Sequence, residues 1–148
     1  MTVDFKALIN KPADKIKRPP VWPAGTYHGT IIRHEFGESS QKKTPFVSYK
    51  LKVNGPGEDV PQELLRDDEG KPFDLSKKEF KKDFYLTPDA EYRVVEFAES
   101  CGLQKSGHSL EDLILGVIGQ PVLIQLIQKM SQDGISQFND VGDIKGAQ

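Results

Sequence analysis

Pro45-Phe46-Val47-Ser48-Tyr49-Lys50-Leu51-Lys52-Val53 is the stretch on which the fold turns. Val47, Tyr49, Leu51 and Val53 alternate with Phe46, Ser48, Lys50 and Lys52, the period of two that a half-buried strand requires. One face is therefore apolar and the other carries lysines, a serine and one ring. Upstream, Gly25-Thr26-Tyr27-His28-Gly29-Thr30-Ile31-Ile32-Arg33-His34-Glu35-Phe36 is also rich in β-branched and aromatic residues. The polar linker Gly37-Glu38-Ser39-Ser40-Gln41-Lys42-Lys43-Thr44 separates the two runs and supplies turn chemistry. Together they predict a β-hairpin whose solvent face carries positive charge.

Composition sets the outer limits. A chain of 148 residues with 36% hydrophobic and 28% charged residues fits one globular domain. Its 13 glycines and 10 prolines predict many turns and more sheet than helix. A net charge of −2 and a pI of 5.9 exclude coating of duplex DNA through bulk positive charge, so any nucleic-acid contact has to be local. Cys101 is the single cysteine, which excludes an internal disulfide and a cysteine-based zinc site and fits a reducing compartment. No apolar run approaches the roughly 20 residues of a membrane span, and the first residues lack the apolar core of a signal peptide. The expected location is the cytoplasm.

Working outward from the hairpin, residues 1–24 read as an extended arm. Phe5, Leu8 and Ile9 fall on one side of a short helical segment that Pro12 stops, and Pro19, Pro20 and Pro23 favour a polyproline-like path. Trp22, among those prolines, is expected to pack on the domain and tie the arm down. Residues 25–141 form the domain itself. Asn54-Gly55-Pro56-Gly57 opens a long connection, residues 55–79, in which Glu58, Asp59, Glu63, Asp67, Asp68 and Glu69 face Arg66. Their irregular spacing matches no calcium loop, and the segment reads as a solvated acidic loop. Lys77 to Leu86 predicts a third strand, with Phe80, Phe84 and Leu86 on one face and Lys81 and Tyr85 on the other.

Thr87-Pro88-Asp89 is a helix start, with a threonine cap and proline at the first helical position. Val94, Val95, Phe97, Ala98 and Cys101 line the buried face of that helix, and Gly102 ends it. Ser109 with Asp112 opens a second short helix that ends at Gly116. Val122 to Met130 is apolar on both faces and predicts a central strand. Asp133-Gly134 turns the chain into a last strand ending at Val141, leaving residues 142–148 as a short polar tail.

Chemistry-bearing groups are sparse. His28, His34 and His108 form no metal-ligand spacing, and His28 and His34 share a face only if their strand is regular. Cys101 lies on an apolar helix face, where it acts as a small hydrophobe. No phosphate-cradling glycine motif is present. No catalytic residue, metal or cofactor is expected, and an enzyme is the least favoured class. The basic pattern remains: Lys42, Lys43, Lys50 and Lys52 fall within eleven residues that contain no acid, and Lys77, Lys78, Lys81 and Lys82 form a second cluster. Phe46 and Tyr85 lie on the same faces, where rings can stack on unpaired bases. Lysines on exposed strands also serve solubility and prevent edge-to-edge pairing.

The order of these features resembles a family of small tailed-bacteriophage proteins. Lys11-Pro12-Ala13-Asp14, Pro23-Ala24-Gly25-Thr26-Tyr27, Glu35-Phe36-Gly37-Glu38-Ser39, Thr44-Pro45-Phe46 and Phe84-Tyr85-Leu86-Thr87-Pro88-Asp89-Ala90 carry the likeness. In layout these proteins are similar to phage single-stranded-DNA-binding proteins. The resemblance implies a mostly β chain forming a five-stranded OB-like Greek-key barrel, with a helix between strands three and four. It implies sequence-nonspecific binding of single-stranded DNA during phage DNA replication, recombination or repair, in the host cytoplasm beside phage replication or recombination proteins. The binding residues it implies are Arg33, Phe36, Lys42, Lys43, Phe46, Lys50 and Lys52, with Lys81 and Tyr85. The nearly neutral stretch Gly142 to Gln148 departs from the acidic tail of many such binders. The alternative is a protein-interaction module, either a virion or assembly component or an inhibitor of a host protein.

Overall fold

The computed structural model describes residues 3–10, 12–15, 21–66, 70–75, 78–134 and 136–147. Strands β1 (Gly25–Glu38), β2 (Pro45–Pro56), β3 (Glu79–Tyr85), β4 (Pro121–Met130) and β5 (Gln137–Gly146) form one antiparallel sheet in the order β3-β2-β1-β4-β5. Helices α2 (Tyr92–Ser100) and α3 (Leu110–Gly116) lie between β3 and β4 in sequence, and a short α1 (Phe5–Ile9) precedes the sheet. The expected mostly β architecture, with helix between the third and fourth strands, is what the chain adopts.

The hairpin forms with its apolar face inward, but β1 runs on to Glu38, so that Gly37, expected in the turn, pairs with Phe46, and Ser48 of the outward face is itself buried. Val47, Tyr49 and Leu51 are fully buried and Val53 nearly so, and they pack with Ile31, Phe80 and Phe84 of the neighbouring strands. The helices close the same side: Phe97 of α2 stacks on Phe84 at 5.4 Å, and the Tyr49 hydroxyl donates to the Ile114 carbonyl of α3 at 2.9 Å. A capping box between Ser109 and Asp112 starts α3 as anticipated. Gly102 has φ +93°, the left-handed geometry expected after α2. The start of α2 differs. Thr87 does not cap it by its side chain; its carbonyl accepts the Ala90 and Glu91 amides in a turn, and the helix begins at Tyr92.

Two irregularities in the β1–β2 ladder decide which side chains face where. Its register against β2 shifts between His28 and Gly29 and again between Ile31 and Arg33, where Ile32 is the extra residue. The second shift turns Arg33 outward opposite Lys50 although Ile31 points into the core. It also separates the histidines: His28 and His34 end on opposite faces, because the strand between them is not regular.

The chain after Val141 is not a tail. Residues through Gly146 extend β5, with Ile144 buried opposite Ile124 and Gly146 opposite Val122. Gly146 has no room for a side chain, since a Cβ there would collide with the Ser100 carbonyl at the end of α2, and its amide donates to Ser100 Oγ at 2.8 Å. A register shift between Gln125 and Leu126 leaves Gly142 as the extra residue of β5. Its carbonyl accepts from Lys82 Nζ of β3 at 3.3 Å, so the two outer strands meet through a side chain, and no ladder joins them among the described residues. The sheet is curled but open.

Trp22 ties the arm down as expected. It is buried against Tyr27 and Phe80, with ring centroids 5.7 and 5.2 Å away. Pro19 and Pro20 and their polyproline path lie outside the described residues. The acidic connection is less idle than its composition indicates. Asp59 accepts the Thr26 amide at 3.0 Å and the Thr26 hydroxyl at 3.1 Å, and Val60 is buried against Gly25, which pins the loop over the start of β1.

Candidate nucleic-acid interface

The outward face of β1, β2 and β3 is read from cross-strand pairs, because directly opposed residues in a sheet point to the same side. Arg33, Lys50 and Lys81 stand in one row across the three strands. Tyr85, Phe46 and Gly37 stand in another, four residues away and so about 13 Å along the strands. Lys52 occupies the next outward position beyond Lys50, opposite Glu79. Five of the residues singled out from sequence, Arg33, Phe46, Lys50, Lys81 and Tyr85, therefore share a wall with Lys52.

The aromatic row has a specific construction. Phe46 and Tyr85 meet edge to face, centroids 6.3 Å apart at 78°, and Tyr85 remains 47% exposed. The Phe46 ring lies over Gly37, where a Cβ would fall 2.8 Å from Cζ. Glycine at this position lets the ring lie down across β1 and leaves its outer side available. This arrangement places a ring pair at one end of the wall and cations at the other.

Three expected residues sit elsewhere. Phe36 is opposite Val47, so its ring emerges on the inner side of the sheet, at the rim, edge-on to His34 at 5.3 Å and 55% exposed. It does not join Phe46 and Tyr85. Lys42 and Lys43 lie exposed on the β1–β2 turn, which is closed by Ser39 N–H to the Thr44 carbonyl at 2.9 Å, with Lys43 in the left-handed region at φ +50°. They extend the basic surface beyond the aromatic row. The second lysine cluster divides. Lys81 faces out, Lys82 turns to the β3–β5 seam, Lys78 Nζ sits 5.2 Å from the Phe80 ring, and Lys77 is outside the described residues.

The wall is not uniformly positive. Glu79 holds Arg33 through two contacts, the shorter 2.7 Å, reaching across β2 from β3 to β1. Glu35, Ser48 and Asp83 form the row between the cations and the rings, and Asp83 Oδ1 is buried with no hydrogen-bond partner among the described residues. Cations still outnumber acids on the wall and its turn. No group of three or more potential metal ligands occurs among the described residues. Burial pushes the Cys101 thiol up, away from reactive thiolate. No helix among the described residues is long and apolar enough to cross a membrane.

Neither protein-family models nor curated proteins give a match to this chain.

Sequence reasoning missed Tyr92 and Arg93 on α2. Tyr92 is 50% exposed, with the Arg93 guanidinium 5.8 Å from its ring centre and Arg93 Nε donating to its hydroxyl at 3.3 Å. That hydrogen bond, first, and the neighbouring phenol hold the Arg93 pKa up. Both residues occupy the exposed side of an amphipathic helix, where periodicity reports only that a residue faces water.

Proposed function

We propose that this chain binds single-stranded DNA, without strong sequence preference, on the outward wall of β1, β2 and β3. The observation that carries the reading is the pairing register that puts Arg33, Lys50 and Lys81 in one row and Phe46 and Tyr85 in a parallel one. Lysines neutralise phosphates as a strand crosses the sheet, and the rings stack on bases at about 1–3 kcal/mol each. No covalent chemistry is involved. The strand order, with helices between β3 and β4 and the first strand paired to both the second and the fourth, supports an OB-like Greek-key barrel as the scaffold. Together with the resemblance of the sequence to small tailed-phage proteins, this favours a role in phage DNA replication, recombination or repair in the host cytoplasm.

Fluorescence polarisation of labelled oligo-dT at increasing salt tests the reading. The expected result is binding at low salt that weakens steeply as salt rises, exceeds binding to duplex, and is lost when Lys50→Glu and Lys81→Glu are combined. Absence of binding at low salt, or equal binding of duplex and single strand, overturns it.

A protein-interaction module is the second reading, favoured by Phe5, Leu8 and Ile9 of α1, each more than half exposed. It predicts retrieval of a protein partner after nuclease treatment, by wild type and by the Lys50→Glu/Lys52→Glu variant alike.

A further inference from the structure

Two concavities meet at Tyr85. One is a trough between the β1–β2 turn and the residues after β3, lined by Gln41, Lys42, Thr44, Tyr85, Thr87 and Ala90. The other is a cleft of about 530 Å³ that runs along the outer edge of β3, walled by α2 and by the end of β5, and it too has Tyr85 and Ala90 in its lining. The Tyr85 ring is thus the ridge between them. Beyond the ridge the cleft presents Tyr92 and Arg93 from α2, Lys82 from β3 and Lys145 from β5.

The charges in this cleft balance. Arg93, Lys82 and Lys145 are matched by Asp83, Glu96 and Asp143, and Lys82 is already engaged with the Gly142 carbonyl. A site of this kind attracts no polyanion by charge alone. What it does offer is a second ring, half exposed, whose guanidinium neighbour steadies it through the Nε–hydroxyl hydrogen bond. A ring beside a cation is what an unpaired base stacks on.

Resting on the single-strand-binding reading above, we infer that the strand does not end its path at Phe46 and Tyr85 but passes over Tyr85 into the cleft between β3, α2 and β5. There Tyr92, held by Arg93, stacks a further base. Affinity then divides by chemistry: the lysine-bearing wall sets the salt dependence, and the charge-balanced cleft adds a salt-insensitive stacking contribution that only longer strands reach.

The experiment titrates wild type, Tyr92→Ala and Tyr92→Phe with labelled oligo-dT of increasing length, from about 4 to about 16 nucleotides, at several salt concentrations. For Tyr92→Ala the expected result is a loss of roughly 5- to 100-fold, the worth of one stacked base. That loss is confined to the longer oligonucleotides, leaves the salt slope unchanged, and is restored in large part by Tyr92→Phe, which keeps the ring and gives up only the hydrogen bond from Arg93. Unaltered binding by Tyr92→Ala at every length, while the Lys50→Glu/Lys81→Glu protein has lost binding, overturns the cleft path and leaves the wall standing. An equal loss at the shortest lengths also overturns it. If wild type binds no oligonucleotide of any length, the single-strand reading itself fails, a result distinct from either of these.

Discussion

Arg33 and Glu79, 46 residues apart in the chain, meet at 2.7 Å across the outward face of β2. The pair spans the strand that carries Lys50 and Lys52, so one carboxylate holds down the arginine best placed to bind a phosphate in bidentate fashion. Glu79→Gln should release it. The expected outcome is tighter binding of oligo-dT with a salt slope steeper by roughly 0.7, the contribution of one more phosphate contact on a single strand. Because both side chains are substantially exposed, the melting temperature should hardly move, such pairs being worth about 0–1 kcal/mol.

Gly37 should matter for binding more than for folding. An alanine Cβ would lie 2.8 Å from Phe46 Cζ, and the ring, free on its outer side, relieves the clash by lifting away from β1 and from Tyr85. Gly37→Ala is expected to cost about 1 kcal/mol of oligo-dT affinity, part of one stacking contact. Paired titration and thermal melting would separate this from general destabilisation.

Trp22 is held at both its backbone amide and its backbone carbonyl. Its amide donates to Asn139 Oδ1 at 2.7 Å, while Asn139 Nδ2 and Gln128 Nε2 donate to its carbonyl at 2.9 Å. Trp22→Ala should lower stability by about 3–5 kcal/mol, as for other large buried aromatics. Asn139→Ala, which strips partners from part-buried backbone groups, should cost about 1–3 kcal/mol. Denaturant unfolding of both variants would show whether the arm is anchored by the ring more than by its hydrogen bonds.

Alkaline pH should unfold the protein through two buried phenols. Burial, then the nearby Asp59 charge, pushes the Tyr27 pKa up to about 12, and burial also raises that of Tyr49. The Tyr27 hydroxyl donates to the Pro23 carbonyl at 2.7 Å, so the neutral form is the one the fold accommodates. A group whose pKa is higher folded than unfolded gives its full stabilisation below the unfolded value, about 10, and loses it as pH rises through the folded one. Stability should therefore be level up to about pH 10 and fall between there and about pH 12. Absorbance titration of the phenolates in wild type and in Tyr27→Phe, beside the stability curve, would check the assignment.

Local features are legible along the chain. The alternation of β2, the Ser109–Asp112 cap, the left-handed Gly102 and the Asp133–Gly134 hairpin each depend on residues a few positions apart, and patterns of that range are readable along the chain. The sequence also placed Lys50, Lys81, Phe46 and Tyr85 outward, because regular strands preserve the period of two. The rest depends on register and packing between distant segments. Ile32 is an extra residue relative to β2, and no local signal in β1 announces that its partner strand is one residue short; Arg33 therefore comes to face out and His34 in. Phe36 and Lys82 sit opposite buried Val47 and Tyr49, on the side away from the basic wall, a consequence of register with neighbouring strands. Residues 142–146 carry little apolar pattern, yet they complete β5 because β4 offers an unsatisfied edge. The cleft that joins Tyr85 to Tyr92 exists because α2 packs its apolar side on Phe84, which fixes where its polar side must stand.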